Sequence, residues 1–143
     1  MNSTTKSTIP EARAVVERAL AAMSSGDFPA ITAEVADEAT WEIVGGTFFP
    51  QGHRFVGRAA IERDFIGDVI VSVFDFDAPF ELKVTRVDAA GSRVYVTWEI
   101  DATATRGGHY QNEYLVIFTV EHGLITSVRE FTDTARQKRV FFG

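Results

Sequence analysis

The sequence predicts an α+β domain in which N-terminal helices pack on an antiparallel meander of strands. Three observations carry this. Apolar residues recur at helical spacing early in the chain, they alternate strictly through 93–105, and from 80 to 134 apolar runs are separated by short glycine turns. Helices first and sequential strands afterwards give α+β, with the concave face of the sheet against the helices. The chain has 143 residues, which suits one domain with a real core.

Residues 1–8 read as a disordered polar tail and 9–143 as the domain. Thr8–Glu11 (TIPE) forms a capping box with Pro10 in the first turn. Ala12, Val15, Val16, Ala19, Leu20 and Met23 then mark one face of a helix over 9–24. Ser25-Gly26 ends it, and Asp27 caps a shorter helix from Phe28 to about Ala36. Ala39–Val44 reads as a strand, Phe48–Phe55 as a loop or short hairpin, and Arg58 to about Gly67 as a third helix. Asp68–Pro79 is apolar and aromatic without clear periodicity; it reads as a mobile flap or a buried edge strand. Strands follow over Phe80–Val87 and Arg93–Thr105. A hairpin over Tyr110–Thr134 then turns at Glu121-His122-Gly123.

Charge narrows the functional classes. The net charge is −6 and the isoelectric point about 5.0, without a basic cluster, which argues against nucleic acid and anionic membrane as partners. With no cysteine there is no thiolate nucleophile or cysteine metal site. No apolar run approaches the ~20 residues of a membrane span, the N-terminus lacks the apolar stretch of a signal peptide, and a cytoplasmic protein is expected. The histidines His53, His109 and His122 show no metal-ligand spacing, so no metal is expected. No G-x-S-x-G or phosphate-binding glycine loop occurs either.

Candidate chemistry lies on the strands. Glu99 and Asp101 share one face of their strand, about 7 Å apart at strand rise. Val94, Val96, Trp98, Ile100, Ala102 and Ala104 share the other. Counted around the two turns, Tyr114 falls opposite Glu130, and Asp101 falls near Asn112 to Tyr114. That register sets Asp101, Tyr114 and Glu130 on adjacent strands, the carboxyls ~10 Å apart at backbone level with a phenol between. A carboxyl kept partly protonated by burial acts as general acid, and its partner as base. The competing reading makes Glu99 and Asp101 a solvated face and Glu130 half of a cross-strand ion pair, for instance with Arg93. Trp41 faces inward by bulk, for core packing or ligand stacking, and His53 could reach a pocket mouth.

The order of elements, with Ser25-Gly26-Asp27, Ala36–Thr40, Gly57–Ile61, Glu121–Ile125 and Glu130–Asp133, resembles the nuclear transport factor 2-like superfamily. Within it, the chain is most similar to SnoaL-like and ketosteroid-isomerase-like proteins. The resemblance implies a cystatin-like α+β roll: a cone-shaped, curved antiparallel sheet wrapped around three N-terminal helices with an internal apolar pocket. It also implies a homodimer through the outer sheet face, where Trp98 and Ile100 would sit. The positions matching the steroid-isomerase residues are Ala19, Ile43 and one of Tyr114, Leu115 or Val116. None is a carboxylic acid, so that reaction is disfavoured. The limonene-epoxide-hydrolase pattern is partly kept: Asp101 is retained, Glu130 stands for the second acid and Glu99 for the arginine, while Trp41 and Ile43 replace Tyr and Asn. This carry-over turns 99, 101 and 130 toward the pocket. SnoaL-like cyclases work without a cofactor through acid–base aspartate chemistry with a histidine, here His53 or His109.

The combined expectation is a small, mainly apolar ligand, with no cofactor. Asp101 and Glu130 are the catalytic pair, and Trp41, Tyr114, Asn112, Glu99 and His53 bind substrate. The alternative is a non-catalytic binding or dimerisation module.

Overall fold

A computed structural model describes the backbone from Thr8 to Gly143, with side chains from Glu11. The expected N-terminal tail, and the Thr8 and Pro10 side chains of the capping box, lie outside the described residues. The first helix spans Thr8–Ser24. Its six expected core residues, Ala12 through Met23, are all buried. A 3-10 helix follows over Phe28–Glu34, capped by the Asp27 carboxylate accepting from Ala30 N–H.

The six strands are β1 (Val35–Ile43), β2 (His53–Val56), β3 (Glu81–Ala90), β4 (Arg93–Thr103), β5 (His109–Glu121) and β6 (Leu124–Thr132). They form one open sheet in the order β2-β1-β6-β5-β4-β3. The meander β3 to β6 is antiparallel, whereas β1 joins β6 in parallel, so the sheet is mixed. Irregularities in register interrupt β3–β4, β5–β6 and β1–β6, and bulges of this kind bend a sheet. Along β5, Tyr110, Asn112, Tyr114, Val116, Phe118 and Val120 are buried in strict alternation. This face packs with the helices into a single core.

Between β2 and β3 the chain departs from the expected reading. Arg58–Ala60 begins a helix that continues as a π-helix over Ile61–Ile70 and ends as α over Val71–Val73. Asp68–Val73 is therefore neither flap nor edge strand. The expected helix from Arg58 to about Gly67 is present, and winding with i→i+5 bonds lengthens the turn, which hid its continuation over Asp68–Val73 from a 3.6-residue period. Beyond it, Phe74 forms an isolated bridge with Ala104.

The segment after β6 was not read as an element. It is a C-terminal helix, Thr134–Phe142, whose N-cap Asp133 accepts from Arg136 N–H. Only Gln137 and Phe141 of this helix are buried, so most of its surface is charged and its apolar stripe is short. Phe141 stacks on Tyr110 with ring centroids 4.5 Å apart, closing the sheet's concave side.

Replacing Asp133 by Ala removes this cap, at a typical cost of ~1 kcal/mol. Hydrogen exchange should accelerate at Gln137–Phe141 while the β4–β5 amides stay protected; unchanged exchange in the helix would show that the cap does not hold it.

Candidate functional site

The polar groups on the concave face meet at the β1–β6 junction. Ile43 lies beside Glu130 and Trp41 beside Val128 in the parallel pair, so Trp41 and Glu130 are diagonal neighbours on one face. The Trp41 indole N–H donates to Glu130 Oε1 at 2.9 Å. No described residue makes a hydrogen bond to Oε2. Burial pushes the Glu130 carboxyl up from 4.5 to about 7, with the indole bond opposing the rise. The expected cross-strand ion pair is absent. The neighbouring Arg129 points to the other face and binds Glu42 at 2.9 Å.

A second cluster lies on β5. Tyr110 and Tyr114 share a short hydroxyl–hydroxyl bond of 2.6 Å, and Asn112 Nδ2 donates to Tyr110 at 2.9 Å. The Asn112 amide has its orientation fixed independently: Oδ1 accepts from Glu113 N–H, and Nδ2 also donates to the Asp133 carbonyl. Either hydroxyl can donate in the Tyr110–Tyr114 bond; when Tyr110 donates, the Tyr114 proton is free for another acceptor. Gln137 Nε2 approaches Tyr114 at 3.4 Å. Burial is the main reason both phenols are held above their usual range, Tyr114 well above it, and the Glu130 charge adds to the rise. Both remain neutral donors.

Trp41, Tyr114, Glu130, Trp98, Gln137 and Phe74 are among the residues lining one enclosed cavity of about 30 Å³. That is room for about one water molecule. Two lining residues carry buried groups without a hydrogen-bond partner among the described residues, the Trp98 indole N–H and Gln137 Oε1. Gln137 and Tyr110 were not singled out in the sequence. Tyr110 repeats the inward parity of Asn112 and Tyr114, whereas Gln137 sits on the unrecognised helix.

The expected catalytic pair is not assembled. Asp101 pairs with Gln111 on β5, and Glu99 with Glu113, on the outer face. The Asp101 side chain is 48% exposed and meets His109 Nε2 at 2.7 Å. Trp98 and Ile100, placed outside by the sequence reading, line the cavity instead. Asp101 was expected near Asn112 to Tyr114 and pairs one to three residues earlier, and a slip by an odd number of residues exchanges the two faces of a strand. On β6 the expected opposition of Tyr114 and Glu130 is replaced by Tyr114 with Thr132 and Val116 with Glu130. The β5–β6 turn has two residues rather than three, and a bulge follows it. The two shifts sum to an even number, so Glu130 kept its inward face. His53 lies on β2, stacked on Phe49 at 4.2 Å, and is not among the cavity residues. Among the described residues no group of three His, Asp or Glu side chains could hold a metal ion, and no helix is long and apolar enough to cross a membrane.

A SnoaL-like domain model matches residues 16–128, which is most of the chain. The protein belongs to the SnoaL-like domain family. No curated protein matches it by sequence. Solved structures share its fold. An NTF2-like protein of unknown function from Burkholderia pseudomallei K96243 superposes with TM-score 0.78 at 18% identity, over 93% of this chain and 98% of that one. A candidate SnoaL-like polyketide cyclase from Jannaschia sp. CCS1 gives 0.76 at 14% identity, over 94% and 93%. A candidate ketosteroid isomerase from Kribbella flavida DSM 17836 gives 0.68 at 20% identity, over 87% and 79%. The SnoaL-like chain thus has the nuclear transport factor 2-like fold. At these identities the likeness extends to the fold and not to the reaction.

Two measurements probe the Glu130 environment. Its folded pKa lies above the unfolded value, so its contribution is fully favourable below pH 4.5 and is lost as pH rises toward about 7. The loss is of order 3 kcal/mol, at ~1.36 kcal/mol per pKa unit. Urea unfolding between pH 4.5 and 7.5 should show this decline in the wild type, and Glu130→Gln should remove it. In Trp41→Phe the opposing hydrogen bond is gone, so carbon-detected NMR titration of Glu130 should give a still higher pKa.

Proposed function

We propose that this SnoaL-like protein is a cofactor-independent acid–base enzyme that moves a proton on carbon next to a carbonyl in a small, mainly apolar compound. The observation that carries this is a buried carboxyl with one oxygen unpaired among the described residues and a pKa near 7, sharing a cavity with the hydrogen-bonded Tyr114 phenol. In the ionised form, Glu130 Oε2 takes the α-proton. The C–H electron pair becomes the carbon–carbon π bond of the enolate, and charge moves to the carbonyl oxygen. Tyr114 donates a hydrogen bond to that oxygen, supported by Tyr110 and Asn112. Returning the proton from Glu130 to another carbon completes an isomerisation, and returning it to the enolate oxygen releases the enol. A base with pKa near working pH has both the ionised fraction and the basicity for this step. A preorganised donor in a dry site stabilises the developing charge. Asp101, on the outer face, takes no part in this scheme.

The small cavity, about 30 Å³, favours a second reading, a binding module in which Glu130 only recognises a ligand hydroxyl. The same reading of the family includes a homodimer through the outer face. Leu115, 40% exposed, is a better contact there than the inward Trp98 and Ile100.

The deciding experiment is α-proton exchange of simple ketones in D₂O followed by NMR. The rate should rise with pH through an apparent pKa of about 7. Glu130→Gln should abolish catalysed exchange, Tyr114→Phe should slow it by about 10²-fold, and Asp101→Asn should leave it unchanged. Exchange equal in wild type and Glu130→Gln would eliminate the catalytic reading and favour the binding module.

A further inference from the structure

The Glu130 cavity has room for little more than one water-sized group, so the body of any ligand must lie elsewhere. A groove of about 390 Å³ runs along the outside of the molecule, between the 3-10 helix and the π-wound helix. This volume lies within the ~300–1,000 Å³ typical of small-molecule sites. Phe28 and Ile70 line both the groove and the inner cavity. Phe76, at the groove, has its ring centroid 5.9 Å from Phe28 and 6.0 Å from Phe74, and Phe74 lines the cavity. Phe28 and Ile70 thus form an apolar partition with one space on each side.

Three features distinguish this groove from an incidental dent. Val71 is 52% exposed and Phe76 39% exposed at its edge, which leaves apolar surface without a partner. Its wall is the π-wound segment Ile61–Ile70, a rare geometry frequently found at functional sites. Gly67 keeps that wall free of a side chain, and a Cβ placed there would stand 3.0 Å from the Glu62 carbonyl. Among its lining residues Glu62 alone is ionisable, so the groove has no cation to hold an anionic tail.

We infer that the groove holds the uncharged, extended apolar tail of a carbonyl compound whose head reaches the Glu130 cavity past Phe28 and Ile70. The placement of the head rests on the acid–base reading above; the tail site rests on the groove itself. The ligand class is then a ketone on a long alkyl chain, not a compact one.

A series of 2-alkanones from five to eleven carbons tests this. Trp41 and Trp98 both line the cavity and are the only two tryptophans, so their fluorescence reports the head. Affinity should tighten by about fourfold per methylene within the groove, equivalent to ~0.8 kcal/mol each. Val71→Asp, at a half-exposed position, should flatten this dependence while leaving pentan-2-one affinity within about twofold of wild type. Phe76→Ala, which removes the other edge, should also reduce the slope, with circular dichroism confirming that both variants fold. Affinity independent of chain length in the wild type, or an unchanged slope in Val71→Asp, overturns the tail site. Measuring proton exchange in the same samples separates the two ideas. A length dependence lost in Val71→Asp, with no Glu130-dependent exchange, supports the groove and ends the catalytic reading. Exchange without length dependence does the reverse.

Discussion

The structure depends on a carboxyl group held in an apolar cavity by a single hydrogen bond. Burying a charge there would cost several kcal/mol. Burial instead raises the Glu130 pKa to about 7, so the group is close to half protonated near neutral pH. Its one partner, Trp41, donates to an oxygen whether the group is charged or neutral. The indole thus fixes geometry and favours the ionised form, but not by enough to cancel the rise that burial causes. A cation in its place would hold the group ionised and low in pKa. Arg129, the adjacent cation, is kept away because successive residues of a strand point to opposite faces, and it pairs with Glu42 there.

The rest of the fold keeps that cavity closed. The sheet supplies Trp41, Glu130 and the Tyr110–Tyr114 pair, the central helix supplies the apolar wall through Phe65, Val69 and Ile70, and the C-terminal helix adds Gln137 and Phe141. Asp133 links the last two layers. Its side chain caps the C-terminal helix, and its carbonyl accepts from Asn112, which orients the phenol pair. Helix docking and hydroxyl orientation are thus coupled through one residue.

Most of the architecture was legible in the residue pattern, because the first helix and β4 to β6 have strong, regular periodicities. The family resemblance drawn from the order of short motifs agrees with the matched domain and with the solved folds. The misreadings were local and physical. The second half of the π-wound helix, beyond Gly67, lacks the usual period, and the C-terminal helix has too short an apolar stripe to stand out among Arg136, Lys138 and Arg139. The carboxyls were harder to place than the elements. Alternation separates two faces correctly, but which face turns inward depends on the turn lengths. Asp101 and Glu99 were assigned inward by the resemblance to the epoxide-hydrolase pattern, with pairing across the Arg106–Gly108 turn supporting Asp101, whereas the bulk of Trp98 and Ile100 on the opposite face pointed to the arrangement the structure has. Burial of large apolar side chains was the more reliable guide.

The β5–β6 turn is made by His122 and Gly123, both with positive φ, as a two-residue hairpin requires, and the bulge lies a few residues beyond it. Together they act as a parity lock. Insertion or loss of one residue anywhere between Tyr114 and Glu130 would carry the carboxyl to the solvated face unless a second change restored the count. Homologues that keep this cavity should therefore vary the length of this hairpin in steps of two, or exchange a longer turn for a lost bulge, and single-residue length changes should accompany loss of the buried acid.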